Sequence, residues 1–230
     1  MCLLCSALAW QIREKSRMCE LEGIQSQQDG KTELAPGPED GSDGFSNNAA
    51  PRKKAPVIIY ASRTHSQLSQ VMGELRNTRY RPRHAILGSR EHSCIHPKVN
   101  PIVAKGKASP GVEPKTSTEV NNGCSKLCKE RKCMFRNNLE DAQGKSGVWL
   151  PPTVQRAAGD EKSFEQPVLD IEDLVTLGKQ HKICPFYHSR SHLKDAELIL
   201  VPYNYLFDRD ARETTLAEVD FSNAVLIFGK

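Results

Sequence analysis

Short apolar runs along the chain predict the strands of a sheet. Residues 57–61, 85–88, 197–201 and 224–228 are rich in β-branched and aliphatic side chains, and polar or turn-forming segments border them. Between the first two runs, residues 66–75 carry apolar side chains at helical spacing. Strand, helix and strand in this order predict a βαβ unit and therefore a parallel sheet.

Two further helices are predicted outside this unit. Residues 1–21 form the first, with Cys2 and Cys5 on its buried face beside several leucines. The second begins at Ile171 and ends at Gly178, with Asp170 as its N-cap and an acidic first turn. Residues 22–56 are polar and without periodicity, which is typical of a linker or a surface insertion.

Hydrophobic periodicity is lost between the second and third predicted strands. Residues 100–122 and 141–166 lack periodic apolar positions and are expected to be loops. The fold is therefore predicted to be α/β, with a sheet-forming part at 57–92, an irregular insertion with some helix at 93–190, and a return to the sheet at 191–230.

Composition is that of a globular protein, since 38% of the 230 residues are hydrophobic. No run of 18 apolar residues exists to span a bilayer, so no membrane association is expected. A net charge of +4 is too small to indicate a partner. Residues 76–92 and 126–136 each hold five cations against one anion, which suits a phosphate backbone but also a solvated loop.

The eight cysteines are too many for ordinary core positions. Five of them lie in the predicted insertion: Cys94, Cys124, Cys128, Cys133 and Cys184. Thiolate–metal bonds can organise a region that has too few apolar residues for its own core. The long, unequal gaps argue against a zinc ribbon with paired CxxC motifs and favour an iron–sulfur cluster. Zinc, disulfides and free thiols remain alternatives.

Polar side chains follow two of the predicted strands. Ser62, Arg63 and Thr64 stand at a strand-to-helix junction, where hydroxyls and backbone N–H groups can hold phosphate oxygens. Helix capping by Ser62 or Thr64 is the alternative. Tyr203 follows the third strand and could stack on a base or pack the insertion. No nucleophile–base pair, carboxylate pair or GxGxxG motif occurs, so no catalytic residue is predicted.

Four segments together resemble the iron–sulfur superfamily 2 DNA helicases of the XPD type. They read VIIYASRTHSQLSQV, ELRNTRYRPRHAILGSREHSCIHPKV, LDIEDLVTLGKQHKICPFYHSR and VPYNYLFDRDAR. The resemblance implies a RecA-like motor domain interrupted by an iron–sulfur domain. It assigns the [4Fe–4S] ligands to Cys94, Cys128, Cys133 and Cys184, with Cys124 competing for the second position. It assigns DNA contacts to Ser62, Arg63, Thr64, Arg90 and Tyr203.

The same resemblance implies a function. Members would unwind DNA from 5′ to 3′ with ATP and Mg²⁺, act on single strands and forks, and serve telomere maintenance and DNA repair in the nucleus. The phosphate-binding GxGKT and the magnesium-binding DEAH are both absent from these 230 residues. The sequence therefore resembles an interior slice of the first motor domain, truncated at both ends, and is expected to hydrolyse no ATP. A non-catalytic DNA-binding fragment and a zinc-organised interaction module are the alternatives.

Overall fold

A four-stranded parallel sheet forms the centre of the molecule. The computed structural model describes residues 2–29, 55–106, 113–144 and 167–229. The strands are β1 (Val57–Ser62), β2 (His84–Ile86), β3 (Leu198–Pro202) and β4 (Ala224–Phe228). Their order in the sheet is β2-β3-β1-β4, and every pairing is parallel. The predicted α/β class and the parallel sheet are confirmed.

Helices connect and cover these strands. They are α1 (Cys2–Asp29), α2 (His65–Arg76), α3 (Arg90–Ser93), α4 (Pro101–Lys105), α5 (Ser117–Lys129), α6 (Met134–Gln143), α7 (Ile171–His181), α8 (Pro185–Ser191), α9 (Asn204–Phe207) and α10 (Arg209–Thr215). Among the described residues, none of these helices is both long and apolar enough to cross a membrane.

Strands β1, β2 and β3 are covered on both faces, as strands of parallel sheets usually are, whereas the edge strand β4 leaves Leu226 and Phe228 exposed. On one face α1, α2 and α7 pack their apolar stripes against Ile58, Leu198 and Leu200. On the other face Leu193, Leu206 and Leu216 cover Ile59, Ile199 and Val201. All five residues of β3 are buried, because this strand has a neighbour on each side and a layer on each face. The result is a three-layer α/β sandwich.

Helix α1 joins the sheet through one buried face. Leu4, Leu8 and Gln11 lie at i, i+4 and i+7, and each is only 1% exposed. The Gln11 side-chain amide donates to the Pro56 and Glu197 carbonyls, 2.7 and 2.8 Å away. The prediction that Cys2 lies on this buried face is wrong, since Cys2 is exposed and its spacing places it off the stripe.

The half-buried Cys5 lies at the margin of that stripe. Helix α1 also continues through residues 22–29, which the sequence assigned to the polar linker. The remainder of that predicted linker, residues 30–54, lies outside the described residues.

The predicted insertion contains more helix than its hydrophobic pattern indicates. Helix α4 lies inside the segment 100–122 and α5 begins inside it, so the prediction of a loop is wrong at both places. Thr116 and Glu119 form a reciprocal capping box at the start of α5, and Val120 and Cys124 then form a short buried stripe. The cap, rather than periodicity, was the signal in the sequence. Of the other predicted loop, 141–166, residues 141–143 belong to α6, so the prediction is wrong there, and residues 145–166 lie outside the described residues.

The predicted cap of α7 is confirmed, but its predicted end is wrong. The Asp170 carboxylate accepts from the Asp173 backbone N–H at 2.9 Å, and the Asp170 backbone N–H donates to the Asp173 carboxylate at 3.0 Å. The helix continues past Gly178 to His181, and Lys182 then adopts a left-handed conformation with φ of 55°. Gly178 serves close packing inside the helix instead of ending it.

Gly178 lies where α7 meets Pro185, and a Cβ there would stand 2.5 Å from the proline ring and 2.9 Å from the Ile183 carbonyl oxygen. We expect Gly178→Ala to lower the free energy of unfolding by about 1–3 kcal/mol, because a close contact with backbone has to open. Gly73→Ala in α2 is the matched control. Nothing lies within 4 Å of its added Cβ, so it should stabilise the helix by about 0.5–1 kcal/mol. Urea unfolding measures both, and equal effects would contradict the expectation.

Candidate metal centre and adjoining groove

Five cysteine thiols come together next to the carboxyl end of β2. Cys94 follows α3, Cys124 and Cys128 lie on α5, and Cys133 and Cys184 are the N-cap residues of α6 and α8. Three of the sulfurs accept backbone N–H groups: Cys94 from His96, Cys133 from Arg136, and Cys184 from Tyr187. The helices α6 and α8, which start at Cys133 and Cys184, therefore orient two of these sulfurs, and the turn after α3 orients that of Cys94.

Four of the five thiols line one cavity, and the fifth does not. Its lining includes four buried cysteines, each 7 or 8% exposed: Cys94, Cys124, Cys133 and Cys184. Cys128 is half-buried and is not part of this lining. The rest of the wall is mostly apolar and aromatic, with Val99, Leu127, Phe135 and Phe186 among its members. The structure thus brings all the predicted thiols into one region and places Cys124, not Cys128, at the cavity.

Burial keeps these thiols neutral. It raises the pKa of Cys94 and of Cys133, and it raises the pKa of Cys124 and of Cys184 to about 12. The neighbouring sulfurs add to the shift, because several thiolates cannot share a small apolar space without an opposing charge. Binding of a metal has to displace the thiol protons, so affinity should rise with pH.

The donor set fits an iron–sulfur cluster better than a single ion. Within the described ranges, no group of three or more Cys, His, Asp or Glu side chains is arranged to hold one metal ion. Cys124 Sγ and Cys128 Sγ are 3.9 Å apart, close to the separation of about 3.8 Å for two sulfurs on one tetrahedral zinc. Four thiols from separate segments instead suit the corners of a cluster. The space that they enclose is about 10 Å³, so a cluster would spread them apart.

Aromatic rings and arginines form the wall between the cavity and the sheet. The Arg90 guanidinium lies 4.1 Å from the centre of the Phe186 ring, and the Arg190 guanidinium lies 3.5 Å from it. Arg136 lies 4.0 Å from the centre of the Tyr187 ring. Burial opposes the charge of Arg90, but a hydrogen bond to Tyr187 and the nearby Cys124 raise its pKa overall. Arg90, predicted to contact DNA, therefore also contacts the cysteine cavity.

Arg190 ties this wall to the sheet. Its guanidinium donates to the Gly88 carbonyl directly after β2, to the Phe186 carbonyl, and to the Tyr205 hydroxyl, at 3.4, 3.1 and 3.2 Å. Burial lowers the pKa of Arg190, which leaves it the most desolvated cation of the wall. Neither Arg190 nor Phe186 was predicted as a site residue, because a contact between a cation and a ring has no signature in sequence spacing.

A groove of about 1010 Å³ opens beside this wall. Its lining combines cations and aromatic rings with hydroxyl and amide groups, including Arg90, Arg136, Arg190, Lys194, Tyr187, Tyr205, Asn121 and Asn204. Carboxylates of Glu140 and Glu218 also line it and pair with Arg136 and Lys194. Rings and guanidinium groups along one groove are the features that hold single-stranded nucleic acid.

Of the three residues after β1 that are predicted to contact DNA, two have structural roles and one has an exposed, charged side chain. The Ser62 side chain is 1% exposed and donates to Gln67 Oε1 at 2.7 Å, while Thr64 caps α2 in a reciprocal capping box. The capping alternative is therefore observed for Thr64. Arg63 stands between them with an exposed side chain. It is the one of the three that is both charged and open to solvent.

Tyr203 packs against the end of β4. Its hydroxyl donates to the Gly229 carbonyl, and its ring contacts Phe207 and Phe228. It is absent from the lining of the groove, where Tyr205 stands instead. Of the two alternatives for Tyr203, packing is the one observed, although its partner is the sheet and not the insertion.

Both basic segments use part of their charge in ion pairs within the fold. In the first, Arg76 pairs with Asp170 and Asp173, Arg83 pairs with Glu197, and Arg81 donates to backbone carbonyls. Most of that positive charge is therefore used in holding the fold together. In the second, Arg131 and Arg136 pair with Glu140 and Lys132 pairs with Glu130, while Lys126 and Lys129 border a shallow exposed depression on α5. Lys126 and Lys129 are therefore its better candidates for contact with phosphates.

Comparison with known proteins connects this arrangement to a family. Residues 60–230 match the family model DEAD_2. The chain is 38% identical over 239 residues to the regulator of telomere elongation helicase 1 of Rattus norvegicus and 39% identical over 242 residues to that of Homo sapiens. The homologue of Oryza sativa subsp. japonica is 37% identical over 234 residues. Each alignment covers 99% of this chain but only 16–20% of the relative.

Two solved structures are also similar. An XPD helicase gives a TM-score of 0.39 at 17% identity, covering 75% of this chain and 24% of that one. A truncated XPD gives 0.41 at 18% identity, covering 75% and 39%.

Burial and the raised pKa values predict how the thiols react in the metal-free chain. At pH 8 we expect iodoacetamide to modify the exposed Cys2 and Cys19 first, and Cys124 and Cys184 at least about tenfold more slowly. Mass spectrometry of timed samples measures each site, and a sample unfolded in urea serves as the control in which all eight react. Equal rates for Cys19 and Cys184 in the folded chain would contradict the structure.

Proposed function

The chain belongs to the DEAD_2 family and is related to the regulator of telomere elongation helicases, and on this premise we propose that it is the part of a helicase motor that binds DNA and carries an iron–sulfur cluster. The observation that carries the proposal is the cavity lined by four buried thiols from separate segments, beside a groove of cations and aromatic rings. The chain spans about one sixth of the length of the mammalian relatives.

The full helicase activity is a wider proposal. It comprises ATP-dependent 5′-to-3′ unwinding of DNA, a role in telomere maintenance and repair, and location in the nucleus. The sequence contains neither GxGKT nor DEAH, and we assign no catalytic residue within it. ATP and Mg²⁺ therefore have no proposed ligands among these residues.

We assign the cluster ligands from burial and lining. Cys94, Cys133 and Cys184 belong to the set predicted from the sequence, and all three line the cavity. Cys124 lines it as well, whereas Cys128 stands outside, so the fourth ligand is proposed to be Cys124 in place of Cys128. A bound cluster would supply a covalent cross-link among four segments that otherwise share only small apolar cores.

The groove and the β1 junction would hold the DNA. Tyr187 and Tyr205 offer ring faces for bases, while Arg136 and Arg63 offer charge to the backbone. Because Arg190 is fixed by Gly88 and Tyr205, it would position the wall of the groove instead of following the strand. Such binding needs no ATP. The alternative of a non-catalytic DNA-binding fragment is therefore compatible with the proposed function.

A zinc-organised module is the second candidate. The 3.9 Å separation of the Cys124 and Cys128 sulfurs favours it, since that pair matches two corners of a tetrahedral zinc site. The described residues offer no third ligand at such spacing, which is why the cluster is preferred.

Single serine substitutions test the ligand set. After anaerobic reconstitution with Fe²⁺ and sulfide, we expect about four irons per chain and a brown colour for the parent chain. Cys124→Ser should lose most of the iron, because it removes a cavity thiol, while Cys128→Ser should retain it. Metal analysis and the visible absorption spectrum measure both variants.

Circular dichroism of the metal-free variants is the control for folding. Loss of iron in Cys128→Ser with retention in Cys124→Ser would restore Cys128 as the ligand. A colourless parent chain with stoichiometric zinc would reject the cluster in favour of the zinc-organised module.

Arginine substitutions test the DNA interface. We expect Arg63→Ala to weaken binding of a fluorescent single-stranded oligonucleotide and to reduce the slope of log K against log salt by about 0.7, the value for one lost phosphate contact. Arg79→Ala is the matched control, because Arg79 is also exposed but precedes β2, at the amino end of a strand, whereas Arg63 follows the carboxyl end of β1. Fluorescence anisotropy at several salt concentrations measures both. Equal slopes for the two variants would remove Arg63 from the interface.

A further inference from the structure

Cys128 has no role in the proposed cluster site, but its thiol lies beside a cavity thiol and is partly exposed. Its sulfur lies 3.9 Å from that of Cys124, one helical turn earlier on α5. Unlike its partner it is half-exposed, so small molecules in solvent can reach it. A solvent-reachable thiol in van der Waals contact with a buried one has the arrangement of an oxidation-sensitive pair.

Positively charged side chains lie close to the Cys128 thiol. The Arg136 guanidinium hydrogen-bonds to the Cys128 sulfur from the start of α6. Lys129 follows Cys128 in the chain, and its exposed side chain shares the depression on α5 with Lys126. Positive groups beside a partly exposed thiol attract anionic oxidants to it.

We propose that Cys128 is an oxidation-sensitive thiol that forms a disulfide with Cys124 and so withdraws Cys124 from the metal-binding set. This inference rests on the proposed function in so far as Cys124 is a cluster ligand. The oxidant is a low-molecular-weight disulfide such as oxidised glutathione, which carries two carboxylates per half and reaches Cys128 beside the cations of α5 and α6.

The reaction proceeds in two balanced exchanges. The Cys128 thiol attacks one sulfur of oxidised glutathione, a protein–glutathione disulfide forms, and one glutathione leaves as its thiol. The Cys124 thiol then attacks the Cys128 sulfur, the second glutathione leaves as its thiol, and the bond between the two cysteines remains. Two protein thiols are oxidised and one disulfide is reduced to two thiols, with both protons passing to the departing glutathiones.

Helix geometry makes this bond reversible. Residues four apart in an α-helix have Cα atoms about 6 Å apart, inside the range that disulfides span. Their Cβ atoms are about 5–6 Å apart, further than the 3.5–4.5 Å of a relaxed disulfide. The last turn of α5, which ends at Lys129, would have to distort to close the bond. Strained disulfides are readily reduced, which suits a switch better than a permanent cross-link.

Tryptic mapping tests the disulfide directly. Trypsin cleaves after Lys115, Lys126 and Lys129, so Cys124 and Cys128 fall on separate peptides, TSTEVNNGCSK and LCK. The metal-free full chain is treated with oxidised glutathione, blocked with iodoacetamide and digested. We expect these two peptides to appear joined, and to separate after dithiothreitol. Cys128→Ser should give no joined peptide, and Cys124→Ser should leave glutathione attached to Cys128.

Metal loading of the same samples tests the consequence. Oxidation should lower the iron bound by the parent chain at least tenfold, and dithiothreitol should restore it. Cys128→Ser, oxidised in the same way, should bind as much iron as before. The inference is overturned if both thiols stay open to iodoacetamide, if Cys128 pairs with Cys133 instead, or if the disulfide forms without loss of iron. Failure of the reduced chain to bind iron would refute the cluster proposal instead, while the peptide map would still decide whether the disulfide forms.

Discussion

The contact of Phe186 with two arginine side chains joins the cysteine region to the sheet. Arg90 comes from the segment after β2, Arg190 comes from the end of α8, and Phe186 itself follows Cys184 by two residues. Desolvated cation–π contacts contribute about 2 kcal/mol each, comparable with burying an aliphatic side chain. Since Phe186 lines both the cavity and the groove, this contact fixes the distance between the candidate metal centre and the candidate DNA path.

The cysteine region has little else to hold its shape. Its two apolar clusters contain four buried residues each, and cysteines make up part of both. Tyr187 packs against the two clusters and connects them. A core of this size stabilises a region only weakly, while burial of protonated thiols adds apolar surface in the absence of metal. Binding of a cluster at the proposed site would therefore be coupled to folding of this region, whereas the sheet has two apolar layers of its own.

The sequence predicted the sheet well because all four strands are short runs of apolar, largely β-branched and aliphatic residues bordered by polar or turn-forming segments. The Asp170 cap was equally readable, since a capping carboxylate acts within one turn. Helix α5 was missed because few of its residues are apolar, although Thr116 and Glu119 marked its start. The exposure of Cys2 and the pairing of Arg76 with acidic residues 94 and 97 positions later depend on packing between distant elements. The same holds for the preference of the cavity for Cys124, because only the orientation of α5 decides which of two thiols on one helix turns inward.

The position of β1 in the sheet has a consequence for biosynthesis. Its two neighbours are β3 and β4, which follow it by well over one hundred residues, while β2 pairs with β3 and not with β1. At a ribosome adding about 5–20 residues per second, β1 waits on the order of ten seconds for its first partner. During that interval an apolar strand with free hydrogen-bonding edges has left the exit tunnel. Newly made chain is therefore a natural client for chaperones that shield extended apolar segments, until the sheet closes around β1.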